Sequence, residues 1–332
     1  TNNNINIGLA ASGNGQINPW TAPNNTNNNS PGTIVSTVSV LPTFNNCPGT
    51  ASTFTITVNP TPTITNASLT QSICSGNNTQ QVAWTPAASV NNNVTYAWTG
   101  VASSGAVSGF TASGSGNLPA MTITNSGNTP QTVTYTVTPT RNGCNGPSVT
   151  YTITINPTPV LTLSANQTIC GGQTTVASAY TNSVAGGTFA YALQNPPAGG
   201  TITGHPTNGN GQIPAATINN SGTSPYTLNY TITPSANNCS GSTGTYSITV
   251  NPAPVTTFSQ GNQTICTGQN TTLVNLSSTT PGVTFAWSLQ GAVPAGLGNF
   301  NPTSGISSIP VYTNLTNNTT APITVTLQAQ AT

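Results

Sequence analysis

The 332-residue chain has no Asp, no Glu and no Lys, and only one Arg and one His. An ordinary soluble domain carries about 25% charged residues, so each absence removes a class of chemistry. Without carboxylates there is no general acid–base pair and no hard-metal cage. Without Lys there is no Schiff base and no phosphate grip. A lone His with no acid to orient it makes no catalytic triad, and with no Cys-x-x-Cys pair it makes no zinc site. Catalytic residues, metal ligands and cofactors are all expected to be none, and the chain is read as not an enzyme. A net charge of +1 excludes binding to nucleic acid through phosphates. No apolar run approaches the ~20 residues of a membrane span, so no membrane insertion is expected. The opening TNNNINIGLA is polar and uncharged, unlike a signal peptide, and reads as the start of an internal piece of a longer protein.

What the chain does have is 33 Gly, 27 Pro and abundant Asn, Ser and Thr. Disordered chains combine high net charge with few β-branched and aromatic residues. Here Thr, Val and Ile alternate in runs, and Trp and Tyr return at regular places, so the chain reads as folded and all-β. The period sets the organisation. TITVNPTP ends at Pro62, TITINPTP at Pro159 and SITVNPAP at Pro254. An Ile-Cys-x-Gly motif recurs at Cys74, Cys170 and Cys266, and an Asn-x-Cys motif at Cys47, Cys144 and Cys239. The aromatic pairs Tyr96/Trp98, Phe189/Tyr191 and Phe285/Trp287 fall in the same register, giving a repeat of about 96 residues.

Each Asn-Pro-x-Pro segment ends a strand, because Pro cannot donate to a ladder, and favours an extended connection. The expected repeats are therefore 1–59 (the C-terminal part of one), 60–156 and 157–251 (complete), and 252–332 (lacking its closing strand). That last gap is expected to be filled by continuation of the chain past Thr332 or by a donated strand. Within 60–156, strands are expected at TPTITNASLTQ, QQVAWTP, VTYAWTG, AMTITN, QTVTYTVTP and VTYTITINP. Six or seven short strands with a core Trp on the third indicate an immunoglobulin-like sandwich. Tandem sandwiches joined by Pro linkers would form an elongated rod.

The order Ile-Cys-x-Gly, Tyr-x-Trp, Gly-x-Gly, Asn-Gly-Cys and Tyr-x-Ile-Thr-(Val/Ile)-Asn-Pro resembles the PKD-like/Ig-like repeats of very large Bacteroidetes surface proteins. For the second repeat and the proline that follows it, the resemblance rests on Cys74, Gly76, Tyr96, Trp98, Gly114, Gly116, Pro119, Cys144, Tyr151, Asn156 and Pro157. Repeat three departs in having no Trp, and repeat four in a shorter Gly-x-Gly segment. Such proteins are often gliding-motility-type adhesins exported by the type IX system. The resemblance implies an extracellular location, on the cell surface or in a secreted filament.

Six cysteines at fixed repeat positions favour disulfides. In an Ig-like sandwich Cys74 and Cys144 occupy turns at opposite ends, a strand of ~8 residues at ~3.3 Å each apart. A disulfide spans only ~5.5 Å between Cα atoms. That favours Cys74–Cys239 between repeats, with Cys47, Cys144, Cys170 and Cys266 pairing outside the chain. The alternative, Cys74 with Cys144 and Cys170 with Cys239, stays open, as do free thiols. Trp84, Trp98 and Trp287 read as core, and Trp20 as the candidate exposed ligand contact. His205 and Arg141 read as solvated loop residues, and SGSGN and NGNGQ as turns or bulges. Asn66, Asn93, Asn166 and Asn262 fit the N-glycosylation pattern.

Two functions fit. One is a structural stalk or filament segment of a surface adhesin, whose partners are adjacent repeats and laterally associating copies. The other is an adhesin module recognising polysaccharide or cell-surface glycan through uncharged polar and aromatic residues.

Overall fold

Alternating Thr and aliphatic side chains suit a pleated, half-buried surface, and they place the long strands of the first three repeats. The computed structural model describes residues 7–23, 33–87 and 93–332. Residues 1–6, at the start of the uncharged opening, lie outside the described residues.

In the first repeat, β1 (Ile34–Val40) and β2 (Ser52–Val58) form an antiparallel pair with Ile34 opposite Val58. Val38 is buried there, while Val35, Val40, Leu41, Phe44 and Phe54 remain exposed.

The second repeat contains β3 (Thr70–Cys74), β4 (Thr95–Ala102), β5 (Ser113–Ser115), β6 (Gln131–Arg141) and β7 (Val149–Asn156). They lie in the order β3-β7-β6-β4-β5, with β3 parallel to β7 and the other neighbours antiparallel. Val133, Tyr135, Val137, Tyr151, Ile153 and Ile155 alternate inward with Trp98. Each such side chain contributes about 1.5–3 kcal/mol by leaving water. Edge-to-face contacts of Trp98 with Tyr135 (5.6 Å) and of Trp84 with Tyr151 (5.9 Å) add to this.

The opposite layer differs from the strands expected over 61–71 and 80–86. It is held by the isolated bridges Ile64–Pro86, Asn78–Thr122 and Val82–Leu118 and by the short pairing of Val107 with Asn125 and Ser108 with Thr124, while Thr70–Cys74 joins the first sheet beside β7 instead. Pro60, Pro62 and Pro86 have no N–H for a ladder. The Asn66 side chain substitutes for one, donating to the Ala83 carbonyl (2.8 Å) and accepting from the Thr85 amide (2.8 Å).

The Gly-x-Gly runs, expected as turns or bulges, hold a strand. Gly114 lies in β5 directly opposite Trp98, where a Cβ would overlap the indole. Gly209 faces Tyr191 and Gly305 faces Trp287 in the same way. A glycine covered by a cross-strand aromatic keeps a sheet edge packed without a side chain of its own. The second glycine does turn the chain: Gly116 has φ 75° and Gly211 φ 84°, a region glycine enters at no steric cost.

The third repeat repeats this plan with β8 (Gln167–Cys170), β9 (Thr188–Leu193), β10 (Asn208–Asn210), β11 (Tyr226–Ala236) and β12 (Gly244–Asn251), ordered β8-β12-β11-β9-β10. Its core includes Ile218, Leu228, Tyr230, Tyr246, Ile248 and Val250. In the fourth, β13 (Val274–Ser277) pairs with short segments, and β14 (Phe285–Leu289) lies between β15 (Ser304–Ile306) and β16 (Leu327–Ala331). Its core is smaller: Val274, Trp287, Phe300, Ile309 and Tyr312.

Contacts group the chain into two compact units. One comprises 1–159 with 184–186 and 235–240, the other 160–183, 187–234 and 241–332. No α-helix occurs among the described residues, and none there is long and apolar enough to cross a membrane.

Candidate functional site

The cysteines lie at the two ends of the strand ladder, where local turn chemistry places them. At one end are two-residue hairpins whose central residues both have positive φ: Asn142 (48°) and Gly143 (80°), Asn237 (49°) and Asn238 (62°), Asn45 (49°) and Asn46 (60°). This is the type I′ geometry that Asn and Gly adopt most readily and that matches the twist of flanking strands. The turn sets Cys144 opposite Arg141, Cys239 opposite Ala236 and Cys47 opposite Phe44. The Asn-x-Cys motif is thus a hairpin tip with a thiol on its first returning residue.

At the other end, Cys74 closes β3 in register with Asn156, the last residue of β7. The Ser75 amide then donates to the Asn156 carbonyl (2.8 Å), and Gly76 turns the chain with φ 85°. Cys170 and Asn251 reproduce this arrangement at the ends of β8 and β12.

Cys74 and Cys239 are bonded, with Cα atoms 5.6 Å apart at a sequence separation of 165. Both belong to the first compact unit, since residues 235–240 group with it. Cys239 is 2% exposed. Beside the bond, the Asn156 side chain donates to the Asn237 carbonyl (3.3 Å). The within-repeat alternatives are not formed: Cys144 and Cys170 are both unbonded, the first half-buried and the second exposed. The physical reason is the parallel β3–β7 pairing, which puts Cys74 at the far end of β7 from Cys144. Cys47 and Cys266 are exposed free thiols.

Trp20 does not stand open as a ligand contact. It is half-buried, and its indole N–H donates to the Ile7 carbonyl (3.0 Å), so its polar edge is already engaged. Trp84, Trp98 and Trp287 are core, at 5%, 4% and 3% exposure. His205 and Arg141 are half-buried rather than fully solvated. Burial lowers the His205 pKa below its ordinary value. Of the glycosylation-pattern asparagines, Asn66 has its amide engaged on both sides in the bracket described above. Among the described residues, no group of three or more His, Cys, Asp or Glu comes together.

One device is not read from the sequence. Asn125 and Asn220, 5% and 6% exposed, latch the sandwich shut. The Asn125 side-chain amide donates to the carbonyls of Thr129 (2.8 Å) and Ile155 (3.0 Å) and accepts from the Gly127 amide (2.9 Å). Asn220 does the same with Ser224 (3.0 Å), Val250 (2.8 Å) and Gly222 (2.9 Å). The in-register Asn-Ser-Gly triplets are the available signal. They look like ordinary turn residues because Asn favours turns for the same local hydrogen bonds.

The sequence model of the family described as PKD-like domain matches residues 71–159 and 167–254, more than half of the chain. The chain belongs to the PKD-like domain family. Both matched PKD-like stretches contain an Ile-Cys strand end, an Asn-x-Cys hairpin and a closing strand. No curated protein sequence matches significantly. Among solved structures, mouse cadherin-23 EC22–24 is 12% identical, with 81% of this chain and 93% of that chain covered and a TM-score of 0.36. The titin I67–I69 variant is 9% identical, with 81% and 93% covered and a TM-score of 0.40. Drosophila N-cadherin EC1–4 is 11% identical, with 90% and 78% covered and a TM-score of 0.26.

Proposed function

We propose that this chain is a structural segment, a stalk or filament piece, of a very large extracellular bacterial surface adhesin. The observation that carries this reading is the Cys74–Cys239 bond, which ties the repeat ending at Asn156 to the hairpin of the repeat after it. A disulfide placed there holds neighbouring repeats together rather than holding one repeat folded, as a fibre under tension needs. It also suits an oxidising, extracellular setting. An uncharged surface gives neighbouring copies no electrostatic repulsion, which favours lateral bundling.

Solution scattering tests the reading. Domains of ~40 Å (about ten strand residues at ~3.3 Å plus loops) in three and a half repeats give a rod on the order of 130 Å. A radius of gyration near the ~20 Å of a compact chain of this length would overturn it.

A second reading, recognition of polysaccharide, draws on the outward face of β6 and β7. There Thr132, Thr134 and Thr136 stand opposite Thr154, Thr152 and Thr150 in a hydroxyl ladder. Retention on immobilised glycans that falls when Thr134 and Thr152 become Val supports this reading; retention unchanged by those substitutions removes it.

A further inference from the structure

Two junctions in this chain can be compared atom by atom. Where the second repeat ends, Asn156 donates from its side chain to the Asn237 carbonyl at 3.3 Å, and Cys74 beside it is bonded to Cys239. Where the first repeat ends, Asn59 donates in the same way to the Asn142 carbonyl at 3.4 Å. Asn142 and Asn237 hold the same position in the same type I′ turn, with φ 48° and 49°. The hairpin carrying Cys144 therefore docks on the end of the first repeat as the hairpin carrying Cys239 docks on the end of the second.

The other half of the device also recurs. Cys170 faces Asn251 in register, and the Gly171 amide donates to the Asn251 carbonyl at 2.8 Å. Cys74 faces Asn156, and the Ser75 amide donates to the Asn156 carbonyl at the same 2.8 Å. In one repeat this arrangement carries a disulfide, and in the next it presents an exposed thiol.

We propose that the bond is a staple made at every junction, joining the Ile-Cys thiol of one PKD-like module to the Asn-x-Cys hairpin of the next. Cys170 is then the docking thiol for the hairpin of a following module. Cys144 is the hairpin half for an Ile-Cys thiol in the module that β1 and β2 belong to. Neither partner is among the six cysteines here, because Cys47 is itself a hairpin thiol and Cys266 itself an Ile-Cys thiol.

The staple closes by exchange with a low-molecular-weight disulfide. The Cys170 thiolate attacks it, forming a mixed disulfide and releasing one small thiol. The hairpin thiolate then attacks the Cys170 sulfur and releases the second. Two protein thiols become one disulfide, one external disulfide becomes two thiols, and the two protons leave on those thiols.

Successive staples overlap, since the Cys74–Cys239 loop closes over a sequence separation of 165 and Cys170 lies inside it. Every backbone position then falls within at least one closed loop, and a single cut leaves the fibre covalently whole. This holds whether the fibre acts as a stalk or as a glycan binder.

The test extends the full chain after Thr332 with a copy of residues 236–254, which carries the hairpin and closing strand. The register of Trp287 opposite Ala329 and Trp98 opposite Val137 makes Thr332 the counterpart of Thr140, just before the hairpin. The extended and original chains are equilibrated in oxidised and reduced glutathione, alkylated and mapped by mass. Cys170 is expected to label fully in the original chain. In the extended chain it should lose that labelling, become linked to the copied cysteine, and regain labelling when that cysteine is Ser. A second variant, with residues 157–251 duplicated in tandem and the second copy's counterpart of Cys170 changed to Ser, presents the hairpin on a complete module in case the short extension does not fold. An internal control is trypsin, whose single site at Arg141 lies inside the Cys74–Cys239 loop, so the two pieces part only with reductant. Cys170 labelled in both variants while that control holds overturns the proposal.

Discussion

The third and fourth repeats are built from the same motifs, yet the buried core of the third is larger than that of the fourth. In the third, β11 starts at Tyr226 and β8 pairs parallel to β12; in the fourth, the corresponding 323–326 and 261–266 form no strand. Where Tyr246, Ile248 and Val250 fill the third core, the fourth has a cavity of about 1150 Å³, lined by Phe300, Tyr312, Leu315 and Leu327 among others. Local devices survive the difference. Gln263 still brackets Thr272 as Gln167 brackets Val176, and Asn317 still holds Ala321 and Thr319. In the third repeat each device also bonds to β12: Gln167 to the Tyr246 hydroxyl (2.6 Å) and Asn220 to the Val250 carbonyl (2.8 Å). Local turns are thus set by local sequence, whereas the third core also draws on β12, which pairs with β8 and β11 and accepts the Asn220 bond.

The largest effect expected from this contrast is at Ile218 and its counterpart Leu315. Ile218 is fully buried, and Ile218→Ala should cost about 2–5 kcal/mol, the transfer energy plus an unfilled cavity. Leu315 already borders open space, so Leu315→Ala should cost about 1 kcal/mol, little more than one lost methylene contact. Urea unfolding read by amide exchange within each repeat measures both. Equal costs would mean that the closing strand does not govern the core.

The asparagine latch sharpens the same comparison at smaller scale. Asn220→Ala strands the buried Val250 carbonyl and should cost about 1–3 kcal/mol. Asn317→Ala loses only half-exposed turn bonds and should cost under about 1 kcal/mol. The same exchange measurement decides; a larger loss at Asn317 would show that the latch works through its turn and not through the strand.

Much of this is legible in the sequence, for reasons that differ by element. β6, β7, β11 and β12 read clearly because Thr and aliphatic residues alternate along most of their length. The cores of the second and fourth repeats are visible in Trp98 and Trp287. The layer containing Ile64 and Val82 is not, because its pairing is carried by single bridges and the Asn66 side chain, which leave no periodic pattern. Gly114 reads as a turn because a glycine seated under Trp98 and a glycine in a turn look alike until the cross-strand partner is known. The cysteine positions follow from the repeat, but choosing between pairings needs the β3–β7 direction, which composition does not encode.

Buried tyrosines give the second, third and fourth repeats an alkaline limit, Tyr312 in the fourth included. Burial raises the Tyr135 pKa from 10.0 to about 12, and raises that of Tyr230 as well. A hydroxyl whose folded pKa exceeds its unfolded value contributes stability that is complete below pH 10. That stability is lost as pH rises toward 12. The second and third repeats should therefore loosen over pH 10–12, visible as loss of amide protection around β6 and β11. Tyr135→Phe should weaken the response of the second repeat, leaving what burial of Tyr96 and Tyr151 contributes. A protection loss that persists unchanged in Tyr135→Phe would place the alkaline sensitivity elsewhere.

The smallest expected effect is on the acid side, where the chain has almost nothing to titrate. With no Asp and no Glu, His205 is the one side chain whose ordinary pKa lies between pH 3 and 8. Burial lowers its folded pKa below 6.5, because the charged imidazolium is disfavoured in the half-buried loop. The unfolded chain thus takes up its proton first, and the third repeat loses a little stability as pH falls from 6.5 through the folded pKa. The fourth repeat has no such group and should be flat across the same range. Urea midpoints at pH 7 and pH 4 should differ slightly for the third repeat and not for the fourth. His205→Gln should erase even that difference. A steep acid transition in either repeat would contradict the account, since no carboxylate side chain is present to produce one.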